Sequence, residues 1–259
     1  MAYTIAVAGK GGVGKTTVAG LLVRYLVEHD MKPVLAVDAD PNTNLNEVLG
    51  VEVELTLGDA REEMKTIQAQ QMNMTKDMFI EMRLNQCLVE SKGFDLIAMG
   101  RPEGPGCYCA ANHLLTQCMD RLAENYSYIV VDNEAGMEHI SRVTTQRVDL
   151  LLVVSDPSKR GLTAAARVQA LAKEVGILAG ASWLVMSMVR GQLPEAMVSY
   201  AEAQGLKLAG AIPEDEELMR WDMEGKPTAR LPEDNAAVKA AFEIFAKVLG
   251  ENEGKRVFA

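Results

Sequence analysis

The stretch Gly9-Lys10-Gly11-Gly12-Val13-Gly14-Lys15-Thr16 constrains this chain more than any other. It fits the pattern G-x-x-x-x-G-K-[ST]. An apolar run, Thr4–Ala8, precedes it, and an amphipathic run, Thr16–His29, follows with Val18, Leu21, Leu22 and Leu26 along one face. Strand, glycine loop and helix in that order is the context in which the pattern cradles phosphate. The glycines let successive backbone N–H groups curl around oxyanions, and the helix amino terminus adds a favourable dipole. Lys15 is placed to neutralise the β- and γ-phosphates, and Thr16 to offer its hydroxyl to Mg2+. The phosphate-binding candidates are therefore Gly11, Gly12, Val13, Gly14, Lys15, Thr16 and Thr17.

The rest of the chain repeats the same alternation. Val34–Asp38, Phe94–Met99, Tyr128–Asp132, Leu150–Ser155, Ser182–Val189 and Leu206–Ile212 read as buried strands. Helical patterns such as Gly161–Val175 and Glu195–Ala203 fall between most of them. The pattern predicts an α/β fold: a mostly parallel sheet of about seven strands with helices on both faces. The 259 residues suffice for one well-buried domain spanning the whole chain, 1–259. Leu57–Lys92 departs from the rhythm and reads as two helices without a strand, and Gly100–Gly106 reads as a loop. Near the end, Val238, Phe242, Phe245 and Leu249 have helical spacing, but the polar face is not basic enough for an anionic lipid surface, so a docked closing helix is expected.

Charge narrows the partners. Lys and Arg total 26 against 36 Asp and Glu, a formal net charge of −10. Such a chain repels phosphate backbones, which argues against nucleic acid as the main partner. No apolar run is long enough to span a membrane, and the amino terminus lacks a charged region and cleavage site, so a cytoplasmic protein is expected.

Acidic residues end two of the strands. Asp38-Ala39-Asp40-Pro41-Asn42 closes the second, where a carboxylate can orient an attacking water or hold a metal-bound one. Asp132 closes Ile129-Val130-Val131 and is placed to bind Mg2+ through water, with Asn133-Glu134-Ala135-Gly136 following.

Four cysteines are present: Cys87, Cys107, Cys109 and Cys118. Cys87 aligns with Ile80 and Leu84, and Cys118 with Leu115 and Leu122, so both read as apolar filling. Cys107 and Cys109 differ. Two thiols one residue apart can grip one soft metal ion but cannot complete its shell, whereas two chains related by a two-fold axis supply four thiolates. The pair opens a predicted helix, Ala110–Ala123, whose amino terminus lowers thiol pKa. His113 lies on the same helix face as Cys109 and reads as a surface residue ahead of an extra ligand.

The Lys-Gly-Gly-x-Gly-Lys-Thr-Thr arrangement, with its additional lysine, resembles the deviant Walker A loop of the ATPase family containing MinD, ParA, the nitrogenase iron protein and the tail-anchored-protein targeting ATPases, of the SIMIBI class. The resemblance implies that Lys10 reaches across a homodimer to the partner's nucleotide. It also implies that Asp40 in switch I positions the hydrolytic water with Asp38 nearer the Mg2+ shell, that Gly136 turns switch II toward the γ-phosphate, and that the substrate is ATP. Where that family commonly carries a base-binding Asn this chain has Ser187, and the backbone around Pro213 is the substitute. The segment Met99–Glu103 with Gly104-Pro105-Gly106-Cys107-Tyr108-Cys109, and Asp132–Arg142, is similar to the CooC/AcsF group of maturation ATPases. That resemblance implies nickel, or zinc, on Cys107 and Cys109 at the dimer interface, and a carbon monoxide dehydrogenase or acetyl-CoA synthase client that receives nickel. A ParA/MinD-like positioning switch without a metal, and an iron–sulfur reductase, are the alternative readings.

Overall fold

Continuous apolar runs form strands that are covered on both faces, because neither face then has water to meet. β1 (Tyr3–Gly9) and β2 (Val34–Asp38) are buried along their whole length. The computed structural model describes residues 2–66, 76–101, 107–134 and 148–256. Within them, one sheet of eight strands runs in the order β3-β4-β2-β5-β1-β6-β7-β8. The other strands are β3 (Leu88–Glu90), β4 (Phe94–Ala98), β5 (Tyr128–Asp132), β6 (Val148–Ser155), β7 (Leu178–Val189) and β8 (Leu208–Pro213). All pairings are parallel except that of β3 with β4.

The sheet therefore has one strand more than the seven expected. The addition is β3, hidden in the stretch that reads as helical. Three half-buried or exposed residues, Leu88-Val89-Glu90, are too short to show a period. The two helices expected there are present as α3 (Leu57–Thr66) and α4 (Lys76–Gln86).

Alternate residues of each strand feed opposite layers. On one face, Ile5, Val7, Val34, Ala36, Val130, Leu152 and Val185 pack against α1 (Lys15–Glu28) and the carboxyl-terminal helix, whose contributions include Val18, Leu22, Leu26, Phe245 and Val248. On the other, Leu35, Val37, Ile129 and Val131 meet α3, α4 and α5 (Cys107–Leu122), with Cys87 and Cys118 both fully buried as apolar filling. Further along that face, Ala6, Leu151, Val153 and Leu184 meet α6 (Lys159–Glu174) and α7 (Glu195–Ala203). A short helix, α2 (Leu45–Leu49), follows β2, and α8 (Glu216–Met223) follows β8. The closing helix, α9 (Ala236–Arg256), docks on β8 so closely that a Cβ at Gly210 would lie 2.6 Å from Ile244 Cγ1. No described helix is long and apolar enough to cross a membrane.

Candidate functional site

In an open parallel sheet, ligands bind beyond the carboxyl ends of the strands where the strand order reverses. Here β1 lies between β5 and β6, and the glycine loop leaves its end at that place. Gly9 is pressed against β6: a Cβ on it would sit 2.2 Å from the Val154 carbonyl oxygen. Gly12 and Gly14 have φ of 75° and 79°, a left-handed backbone that other residues resist. Val13 between them is buried, and the Ser187 hydroxyl donates to its carbonyl at 2.7 Å. The loop is thus held from inside, while Lys10, Gly11 and Gly12 are exposed.

Lys15 is buried at the start of α1, and its ammonium donates to the Lys10 carbonyl at 3.2 Å. Burial lowers its pKa, and the charges of Asp132, Asp40 and Glu134 act in the opposite sense. One cation thus faces three carboxylates. Phosphate oxygens and a divalent cation added together would extend this alternation of charge.

Asp132 ends β5 and is almost fully buried, which pushes its carboxyl up to about 7. A hydrogen bond with Thr16 opposes that shift, and the charges of Asp38 and Asp40 add to it. Its Oδ1 has no hydrogen-bond partner within the protein. A buried carboxylate oxygen without a partner is costly unless a cation or an ordered water completes it. Thr16 and Asp132 together fit Mg2+ and its water, an oxygen donor set of the kind Mg2+ favours. Among the described residues no group of three or more His, Cys, Asp or Glu side chains is arranged to hold a metal.

The Asp38 carboxylate, whose charge is felt by Asp132, folds back on the segment that follows. Oδ1 accepts from the Asp40 N–H at 3.0 Å, and Oδ2 accepts from Asn44 and Leu45 N–H, each at 2.9 Å. Burial nevertheless raises its pKa to about 6, against the three backbone donors. Asp38 therefore staples the turn that runs from Asp40 to Leu45. Asp40 is half-buried, and its Oδ1 accepts from the Asn42 backbone at 2.8 Å and its side-chain amide at 3.0 Å. The carboxyl ends of the strands are laced together: Asn133 N–H donates to the Val7 carbonyl, Ala39 N–H to Asp132, and Met99 N–H to Asp38.

Cys107 and Cys109 fall in the first turn of α5, which follows β4 in the chain after the eight residues 99–106. Their thiols, the loop residues 102–106, and Gly136 with the rest of 135–147 lie outside the described residues.

Beside the loop, a cavity opens between the start of α1 and the ends of β7 and β8. Gly14, Thr17, Ser187 and Pro213 line it, together with Met188, Leu218 and Met219. Ser187 lies on this wall, where its hydroxyl donates to the Val13 carbonyl and stands 3.3 Å from the Ser155 carbonyl, a tie that supports the loop. Reading the sequence missed Met188, Met219 and the Asn133 tie to Val7. Scattered methionines carry no motif, and only the convergence of two strand ends with α8 brings them together.

Comparison with known proteins agrees with this geometry. Residues 4–228 match the CobQ/CobB/MinD/ParA nucleotide binding domain. An uncharacterized ATP-binding protein of Methanocaldococcus jannaschii is 44% identical over 250 residues, covering 95% of this chain and 98% of that protein. The carbon monoxide dehydrogenase accessory protein CooC of Rhodospirillum rubrum is 36% identical over 186 residues, 67% of this chain and 70% of that one. Among solved structures, the cell division ATPase MinD of Pyrococcus furiosus superposes with a TM-score of 0.73 at 21% identity, covering 97% of this chain and all of that one, a likeness of fold. The phosphate loop, the acidic strand ends and these matches together place the chain in the CobQ/CobB/MinD/ParA family of nucleotide-binding P-loop ATPases.

Proposed function

We propose that this chain is an ATP-hydrolysing homodimeric switch that carries nickel, or zinc, on Cys107 and Cys109 and assists nickel insertion into a carbon monoxide dehydrogenase or acetyl-CoA synthase. The observation that carries the reading is the location of the Cys-x-Cys pair. It stands in the first turn of α5, after β4, and the residue following β4 donates its N–H to the carbonyl of Asp38, 2.8 Å away. Asp38 in turn holds the backbone of Asp40. The turn after β2 is thus hydrogen-bonded to the strand end from which the chain runs on, eight residues later, to the thiol pair. The 36% identity to an accessory protein of carbon monoxide dehydrogenase supports nickel as the cargo and that enzyme class as the client.

In this reading Lys15 and the N–H groups of Gly11, Gly12, Val13 and Gly14 hold the β- and γ-phosphates. Bound Mg2+ would neutralise the phosphates, with Thr16 and Asp132 as its supports. Lys10, exposed on the loop, is available to the partner's nucleotide, and Asp40 orients the attacking water. Closing two copies brings together four thiolates, a complete set for one soft ion.

The test is metal content by elemental analysis alongside mass by light scattering, with nickel or zinc, with and without Mg-ATP. One metal per two chains is expected, in a dimer whose metal is lost in Cys107→Ser and in Cys109→Ser. A dimer that forms with ATP, holds no metal and ignores both substitutions would overturn the metal reading in favour of a positioning switch of the MinD/ParA kind.

A further inference from the structure

Met188 has a backbone conformation that a side chain of its kind resists, with φ of 56°. Its neighbours hold it there. On one side, Ser187 is tied to the carbonyls of Val13 and Ser155. On the other, Val189 is in register with Pro213 of β8, and its carbonyl accepts from Glu214 N–H at 3.0 Å. Between these anchors Met188 is thrown outward and is 46% exposed. Its Cε is the nearest neighbour, at 3.9 Å, of a Cβ placed on Gly14, so the thioether leans over the phosphate loop. Met219, 43% exposed on α8, lines the same cavity from a different element.

Apart from the Thr17 hydroxyl, the polar side chains of that wall are engaged in other contacts. Both carboxylate oxygens of Glu214 accept from the Arg190 guanidinium. Asp215 Oδ1 accepts from Leu218 N–H at 2.8 Å and from the Asn235 amide at 3.0 Å. Among the described lining residues none carries an amide, imidazole, ammonium or guanidinium side chain. A purine entering here meets mainly thioethers and aliphatic carbons, with the Thr17 hydroxyl beside them. Strain retained at a binding wall points to a role for the strained residue, and methionine sulfur makes favourable contacts with aromatic rings.

We propose that Met188 and Met219 are the base-gripping residues of the nucleotide site, holding the purine by thioether contact, and that Met188 keeps its left-handed backbone in order to reach it. The proposal rests on nucleotide binding at the phosphate loop and is independent of the metal reading.

Peroxide labelling read by mass spectrometry tests it. Each oxidation transfers one oxygen from hydrogen peroxide to the thioether, giving a sulfoxide and water. Met223, 81% exposed on the same helix as Met219 and outside the cavity lining, is the internal control. Mg-ADP is expected to slow oxidation of Met188 and Met219 by about fivefold or more and leave Met223 unchanged, while Mg-tripolyphosphate, which has no base, protects none of the three. Equal protection by tripolyphosphate, or none by ADP, would overturn the proposal. Met188→Gly separates strain from function, because glycine accepts this φ freely. The variant is expected to melt at the parent's temperature or above it, to bind Mg-ADP about fivefold more weakly, and to bind tripolyphosphate as the parent does. Unchanged ADP affinity would overturn it. A parent chain that binds neither ADP nor tripolyphosphate would instead bring down the underlying nucleotide reading.

Discussion

Two aspartates at neighbouring strand ends perform different tasks, and pH separates them from the rest of the chain. Asp132, pushed up to about 7, and Asp38, pushed up to about 6, hold their protons more tightly folded than unfolded. A group shifted in that direction contributes stability that is fully present below its unfolded value and is lost as pH rises through its folded value. Asp132→Asn cannot ionise. Without nucleotide the variant should therefore gain on the parent by roughly 1–3 kcal/mol between about pH 5 and pH 8, read by urea denaturation at each pH. A gap that does not widen with pH would sink the assignment. Asp38→Ala strips three backbone N–H groups of their acceptor, and roughly 3 kcal/mol of stability should go with it, more than is lost in Asp38→Asn. A loss under about 0.5 kcal/mol in the same denaturation would mean the staple contributes little. Lys15, Thr16 and Asp132 were legible in the sequence because a phosphate loop and an acid-ended strand have a fixed order along the chain. The direction of the Asp38 carboxylate was not, since it depends on where Asn44 and Leu45 return.

The elements owe their stability to burial at some ends and to caps at others. α6 begins with Ser158 as its cap, whose hydroxyl accepts from Gly161 N–H at 3.0 Å, and Asp156 accepts from Ser158 in turn. Removing the cap with Ser158→Ala should cost about 1 kcal/mol in denaturant midpoint analysis, without a change in nucleotide affinity. α9 depends on packing. Phe245 is fully buried against α1, with Tyr25 at 5.7 Å between ring centroids. Phe245→Ala should lose about 3–5 kcal/mol. A helix that lay on a lipid surface instead would barely notice the change. The helical spacing of Val238, Phe242, Phe245 and Leu249 was legible, as were the long apolar strands. β3 was not: its three residues pair antiparallel with β4 across the short turn Ser91-Lys92-Gly93, and a strand of that length carries no readable period.

Across the whole molecule, the hydrogen bonds from Asn133 to Val7, from Ala39 to Asp132 and from Met99 to Asp38 join four strand ends into one unit. Nucleotide at the phosphate loop should therefore slow amide hydrogen exchange at Ala39, Met99 and Asn133 in concert, measured with Mg-ADP against the free chain. Protection confined to residues 9–17 would show that the strand ends are not coupled. The sequence by itself determined the sheet's parallel build, the helices on both faces, the glycine loop at the end of β1 and the acids at the strand ends beside it. These follow from local periodicity and from motifs whose residues are neighbours along the chain. Only the tertiary structure decided that Ser187 ties down the loop, that Asp38 holds the turn after β2, and that Met188 and Met219 share a wall. The Asp38 role depends on the turn that brings Asn44 and Leu45 back to it, whereas the other two depend on contacts between distant segments, set by how β7, β8 and α8 pack beside the glycine loop.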